Sequence, residues 1–260
     1  MILSCRSKKV LDNGYVKLIN VSGSDELIAR AARVSRGAQW TAYSSEDNGK
    51  LINRLVDWEH YTPFEFADVV FEVKCPIYIA RQWMRHRTFT YMEKSGRYNY
   101  TAFDVYIPDR VIEKSKDAVE DIARSYADLV AADIHQQDVR SILPLGTYTT
   151  FWFKADLRNL LHFVNLRASL AAQPEMQDYA NAIYDIVKHE FPQTIHAFEE
   201  YCLNTETITT RAQTIIQKIW KMTPNKEEEE LVTEQVNETY PDLDEFAKAM
   251  LVHEVMGFLL

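Results

Sequence analysis

Glycine is scarce. Only seven occur in 260 residues, and neither G-x-G-x-x-G nor G-x-x-x-x-G-K-[ST] is present. A dinucleotide bound by this chain is therefore held without a Rossmann turn or a phosphate loop, both of which need glycine for close backbone approach. Cysteine is also scarce. Cys5, Cys75 and Cys202 are scattered and odd in number, which fits a reducing cytoplasm and offers no metal-ligand spacing. There is no run of about 18 apolar residues and no charged-then-apolar leader, so neither a membrane span nor secretion is expected. Positive charge is in deficit, with 29 Lys+Arg against 38 Asp+Glu and a formal charge of −9. That balance argues against a general nucleic-acid binder. Internal repeats and low-complexity segments are lacking too.

What is present is enough apolar material, 47%, for a sizeable core, in a 30.3 kDa chain suited to one domain with an appendage. Against the acidic background, residues 80–100 reverse the sign. The stretch ARQWMRHRTFTYMEKSGRYNY holds Arg81, Arg85, His86, Arg87, Lys94 and Arg97 against the single acid Glu93. Trp83, Phe89, Tyr91, Tyr98 and Tyr100 are interleaved. Guanidinium groups beside flat aromatics suit a phosphate and a heterocycle. The plainer reading is a solvated basic helix end.

Along the chain, residues 10–21 read as a hairpin turning at Asp12-Asn13-Gly14. Ser24 or Asp25 caps a helix to about Val34, with Leu27, Ala31 and Val34 on one face. Ser35 closes it. After a polar loop, a helix over about 46–59 places Leu51, Leu55 and Trp58 on one side. Thr62-Pro63 then predicts an extended bend. Residues 69–75 alternate as a half-buried strand, with Phe71, Val73 and Cys75 inward. Pro76 opens a helix that runs into Arg85-His86-Arg87, so Arg85 and Arg87 also complement a helix C-terminus. The residues between Arg87 and Ser95 read as a returning loop. A long helix is expected over 117–137, a strand over 148–153, and a helix capped by Asp156 to about Ser169. Residues 173–189 continue helical, with Met176, Ala180, Ile183 and Val187 inward. Phe191-Pro192 is a break, and 194–202 form one more short helix. Residues 205–260 read as two or three helices with an acidic run at 227–230. The expected fold is α+β, one domain of mixed helices around a small, mainly antiparallel sheet.

Arg85-His86-Arg87, seven residues, then Ser95-x-Arg97 is RHR-x7-S-x-R, which resembles the signature of flavin-dependent thymidylate synthases. Other segments agree in order: AARVS at Ser35, H-x-T-P-F-E from His60, R-x-x-L-P from Arg140, and N-L-R ending at Arg167. The similarity covers residues 10–203, implying a catalytic domain over 1–204 and a helical extension over 205–260.

The resemblance implies reductive methylation of dUMP to dTMP. Methylenetetrahydrofolate would be the carbon donor and NADPH-reduced FAD the hydride source, in a cytoplasmic homotetramer with sites shared between subunits. It implies that Gln82, Trp83, Met84, Arg85, Glu93, Lys94, Ser95, Gly96, Arg97, Arg140 and Arg167 line dUMP. Arg167 would favour loss of the uracil N3 proton. It implies that Ser35, Thr62, Arg85, His86, Arg87, Glu93, Asp156, Leu157, Arg158 and His162 line FAD. For Ser35 an ordinary end-of-helix hydroxyl remains an equal reading, and for His60 a packing role. Met92 and Asp156 depart from the family pattern, and a purely capping role for Asp156 stays open. Arg158 and His162, four apart, share a helix face. Arg167, nine residues beyond Arg158 at about 100° each, falls about half a turn away.

Two rival classes compete. In one, the aromatics of 80–100 stack single-stranded nucleic acid. In the other, Cys75 or Cys202 is a nucleophile, although an apolar strand and a short helix are typical places for inert thiols.

Overall fold

Five strands form one antiparallel sheet: β1 (Ser7–Val10), β2 (Gly14–Ser22), β3 (Asp68–Pro76), β4 (Thr90–Glu93) and β5 (Tyr148–Asp156), in the order β1-β2-β3-β5-β4. The computed structural model describes residues 6–35, 37, 43–97 and 104–203, with isolated positions 233, 234, 237 and 248. The chain divides into two compact units, Met1–Asn204 and Thr205–Leu260. Cys5, Tyr98, Tyr100 and the helices expected over 205–260 lie outside the described residues.

Eight helices accompany the sheet among the described residues. They are α1 (Asp25–Val34), α2 (Ser45–Asp57), α3 (Ile77–Trp83), α4 (Asp109–Ala131), α5 (Gln136–Val139), α6 (Leu157–Arg167), α7 (Pro174–Glu190) and α8 (Pro192–Phe198). The α+β expectation holds. No described helix is long and apolar enough to cross a membrane.

The pleat sets which side chains enter the core. Val69, Phe71, Val73 and Cys75 of β3 are buried, while Glu72 and Lys74 are half-buried on the other face. In β5, Phe151 and Phe153 point inward and Trp152 outward. Phe71 and Phe153 are cross-strand partners and stack with centroids 5.5 Å apart. Trp83, fully buried, joins the sheet to α6, its ring 5.4 Å from Phe151 and 4.8 Å from Phe163. Truncating such a side chain costs about 3–5 kcal/mol. Tyr179 of α7 reaches β3 and donates to the Lys74 carbonyl at 2.7 Å. A Cβ on Gly14 would lie 2.0 Å from that hydroxyl, so glycine is required at this close approach.

Several expectations are corrected. On α1 the buried face is Asp25, Ile28 and Ala29, whereas Leu27 and Val34 are exposed. The Asp25 carboxylate explains the choice of face. It accepts from the amides of Gln193 and Thr194 at the start of α8, and from the Thr194 hydroxyl. On α2, Ile52 and Val56 join Leu55 in the core, and Trp58 is exposed past the helix end. Thr62-Pro63 opens a single 3-10 turn, Thr62–Phe66, because Pro63 stands in the first turn, where its missing N–H has no helical partner to lose. The segment between Arg87 and Ser95 contains β4, whose alternating Thr90, Tyr91, Met92 and Glu93 pair with β5. The long helix starts earlier than expected, behind Pro108, and stops at Ala131, where Asp133 turns left-handed at φ 61°. Tyr126 alone of α4 is buried.

Candidate functional site

Helix α3 is short, ending at Trp83, so the Arg85-His86-Arg87 cluster lies in the turn beyond it rather than on its last turn. The His86 amide returns to the Trp83 carbonyl at 3.0 Å. Tyr91 of β4 pins the same turn. Its hydroxyl lies 2.9 Å from the Trp83 carbonyl and 3.1 Å from that of His86, sharing its proton between them. Burial raises that phenol well above its ordinary range.

The turn separates the three basic residues. Arg85 and Arg87 are exposed. The His86 ring is half-buried between Phe89 and Phe163, with centroids at 5.7 and 5.0 Å. Arg167, the last residue of α6, donates from Nε to His86 Nε2 at 3.2 Å and from Nη2 to the Gln82 carbonyl at 3.3 Å. The Gln82 side chain is itself held by Gln173 at 2.7 Å. Arg167, Gln82 and Arg85 line a pocket of about 360 Å³ with Tyr78, Arg81 and Leu145. Burial, then the Arg167 charge, then His162 pull His86 down from 6.5 to about 4. It is therefore neutral at pH 7, as an acceptor of the Arg167 proton must be.

The opposite side of α6 carries Arg158 and His162. The helix is unbroken from Leu157 to Arg167, so the half-turn between Arg158 and Arg167 is real. Arg158 and His162 line a second cavity, about 390 Å³, with Asn165, Tyr61, Phe198 and Cys202. Arg158 pairs with Glu65 and lies 5.9 Å from the centre of the Tyr61 ring. The His86 and His162 rings are 6.3 Å apart, so His86 sits between the two cavities. Asp156 caps α6, accepting from the Asn159 amide at 2.9 Å and from Asn159 Nδ2 at 2.7 Å. Leu157 is fully buried and reaches a ligand through its backbone at most. The same holds for Trp83, and Met84 is half-buried against the core.

Ser35 and His60 meet at a third cavity of about 430 Å³ with Arg33, Tyr43, Arg54 and Trp58. Local geometry aims His60: Glu59 turns left-handed after α2, and the His60 amide returns to Leu55 at 2.8 Å. Ser35 Oγ donates to the Ala32 carbonyl at 2.9 Å, an end-of-helix bond. Thr62 is exposed at the start of its 3-10 turn.

The second half of the RHR-x7-S-x-R segment lies along and beyond β4. Glu93 accepts from the Thr149 hydroxyl at 2.7 Å, and the Lys94 amide continues the ladder to Thr150. Ser95 is exposed, Gly96 buried. Ser95 Oγ accepts from the Arg97 amide at 3.3 Å. Gln137 joins Arg97 to Arg140, its side chain accepting from Arg97 and its carbonyl from Arg140, each at 3.3 Å. Of the residues expected to line dUMP, Arg97 and Arg140 thus meet at Gln137, and Gln82, Arg85 and Arg167 meet at the pocket.

The profile of the thymidylate synthase complementing protein family matches residues 17–193. A flavin-dependent thymidylate synthase of Ehrlichia ruminantium is 36% identical over 82% of this chain and 80% of its own length. One from Thermotoga neapolitana is 39% identical over 74% of this chain and 94% of its own. The chain belongs to the flavin-dependent thymidylate synthase family. Among solved structures, the UMP/dUMP methylase PolB of Streptomyces cacaoi, bound with 5-Br dUMP, superposes with a TM-score of 0.70 at 26% identity. That match covers 75% of this chain and 98% of PolB.

The residues present fit the family's flavin. A flavin dinucleotide combines a pyrophosphate with a flat ring system. Arg85 and Arg87 form no ion pair among the described residues and present free guanidinium groups for the first. The cavity walled by Tyr61 and Phe198 is mostly apolar with a few polar groups, as flat ligands require. Sequence reasoning missed Tyr78, Arg81, Tyr61 and Asn165 as lining residues. Tyr78 stands three and four residues before Arg81 and Gln82 on α3, a helix-face signal available from spacing. Tyr61 carried no signal of its own, since it reaches its cavity only by the packing of α6 against the 3-10 turn.

Proposed function

We propose that the chain converts dUMP to dTMP, taking the carbon from methylenetetrahydrofolate and the reducing equivalents from NADPH. The observation that carries this reading is the Arg167 guanidinium, held at two of its N–H groups on the wall of a pocket that also holds Arg81 and Arg85. In a chain of net charge −9, this local concentration of cations is suited to a nucleotide phosphate and to a ring accumulating negative charge. Arg81 and Arg85 supply the first interaction, Arg167 the second. When bound, the flavin supplies the hydride that no side chain can provide. Arg85, Arg87, Arg158 and His162 would hold it.

The protein's own residues then bind, orient and polarise. Fixed guanidinium donors stabilise an oxyanion or imide anion better than mobile water, because no reorganisation is needed during reaction. No thiol is required. Cys75 is fully buried, and burial raises it well above its ordinary range, so it stays protonated.

The assembly belongs to this proposal: a homotetramer in which Arg97 and Arg167 of one site come from different chains. Arg158 and Arg167, on opposite sides of α6, open onto different cavities, and Arg97 is directed to Gln137, which supports that reading. The proposed location is the cytoplasm, and residues 1–204 are proposed as the catalytic part. The test is direct. The purified protein is expected to be yellow and to release FAD on heating. With deuterated NADPH or solvent, methylenetetrahydrofolate and dUMP, it should form deuterium-labelled dTMP, and UMP is run in parallel. A colourless protein that FAD does not reconstitute, with no product from either nucleotide, overturns the reading.

A further inference from the structure

We propose that His86 is a positioning residue for Arg167: its Nε2 accepts the Arg167 Nε–H and, with the Gln82 carbonyl, sets the orientation of the guanidinium in the pocket. This rests on reading that pocket as the nucleotide site. Two of the five guanidinium N–H groups are taken, at 3.2 and 3.3 Å. The Nη1 pair and the second Nη2 hydrogen remain for a ligand.

The choice of partner matters chemically. A half-buried arginine is commonly matched with a carboxylate, which would also compete for the guanidinium and cancel its charge. A neutral imidazole fixes the same N–H and leaves the full positive charge facing the pocket. It can do so only in the tautomer with its proton on Nδ1, since an imidazolium has no acceptor. The surroundings favour that state. Phe89 and Phe163 cover the ring, and the charged or titratable groups bearing on it are Arg167 and His162, neither of them an acid. The turn carrying the ring is fixed from β4 by Tyr91. Gln82 is fixed by Gln173, the residue that precedes α7. Both acceptors for Arg167 are thus braced by other elements, as a preorganised donor requires.

The test uses the holoenzyme. With ¹⁵N-labelled histidine at pH 7, the His86 ring, assigned by its loss in His86→Gln, should show a protonated Nδ1 and an unprotonated Nε2. A protonated Nε2 overturns the proposal. In kinetics, His86→Leu keeps apolar packing but deletes the acceptor. It should lower kcat with dUMP about 10²-fold per bound flavin. His86→Gln, whose amide oxygen can accept from Arg167, should recover most of the loss. If His86→Leu retains wild-type kcat per bound flavin, or if the Gln variant is no better than Leu, the proposal is wrong. Loss of flavin with unchanged turnover per remaining flavin would assign His86 to cofactor retention instead and equally overturn it. Absence of dTMP formation by the wild type would strike the functional reading, and the tautomer measurement would still decide the Arg167 contact.

Discussion

Asp156 and Asn159 form a closed pair: both carboxylate oxygens of Asp156 are occupied by nitrogens of Asn159, at 2.9 Å for the amide and 2.7 Å for the side chain. Asp156 is therefore a helix cap first. It sets the start of α6, and with it the positions of Arg158, His162 and Arg167.

Asp156→Ala should destabilise the fold by about 1–2 kcal/mol, the usual value of a lost N-cap, and Asp156→Asn by only a few tenths. Urea unfolding measures both. If Asp156 is only a cap, FAD affinity in the folded Asn variant will equal that of the wild type. A tighter-binding Asn variant would instead show that the negative charge bears on the cofactor.

Replacement of all three cysteines by serine should leave the chemical step intact, because neither described thiol sits in the basic cluster. Cys75→Ser should still cost about 1–3 kcal/mol, since it places a hydroxyl in a fully buried strand position. Single-turnover formation of dTMP by the folded, flavin-loaded triple variant is the measurement. A dead but folded and yellow variant would contradict it.

The acid limb of stability should carry a His86 contribution. Burial lowers His86 from 6.5 to about 4, so between those values the folded chain binds fewer protons at this ring than the unfolded chain. Stability from this group is complete above about pH 6.5 and is lost as pH falls towards 4. His86→Leu removes the titrating group. The drop in urea midpoint between pH 7 and pH 5 should be smaller in that variant than in the wild type; equal drops would refute the assignment.

Arg97→Ala and Arg167→Ala should each abolish most activity. Denatured and reassembled together, they should regain part of it, because some mixed sites would draw both intact arginines from different chains. Mass measurement verifies that mixed oligomers form. No recovery in such oligomers would place both residues of a site on one chain.

Much of this was legible in the residues themselves. The Asp12-Asn13-Gly14 hairpin, the β3 alternation and the Ser24 and Asp156 caps are local: they depend on backbone preferences and on hydrogen bonds a few residues long. The RHR-x7-S-x-R spacing was likewise visible without coordinates. Tertiary packing decided which face of α1 is inside, because the buried Asp25 is satisfied by α8, far along the chain. It turned the residues after Arg87 into β4, because an edge strand needs a partner and β5 lies far downstream. It also separated three adjacent basic residues. Arg85 and Arg87 reach solvent while His86 enters the aromatic cluster and meets Arg167, a pairing across 81 residues that no local spacing encodes.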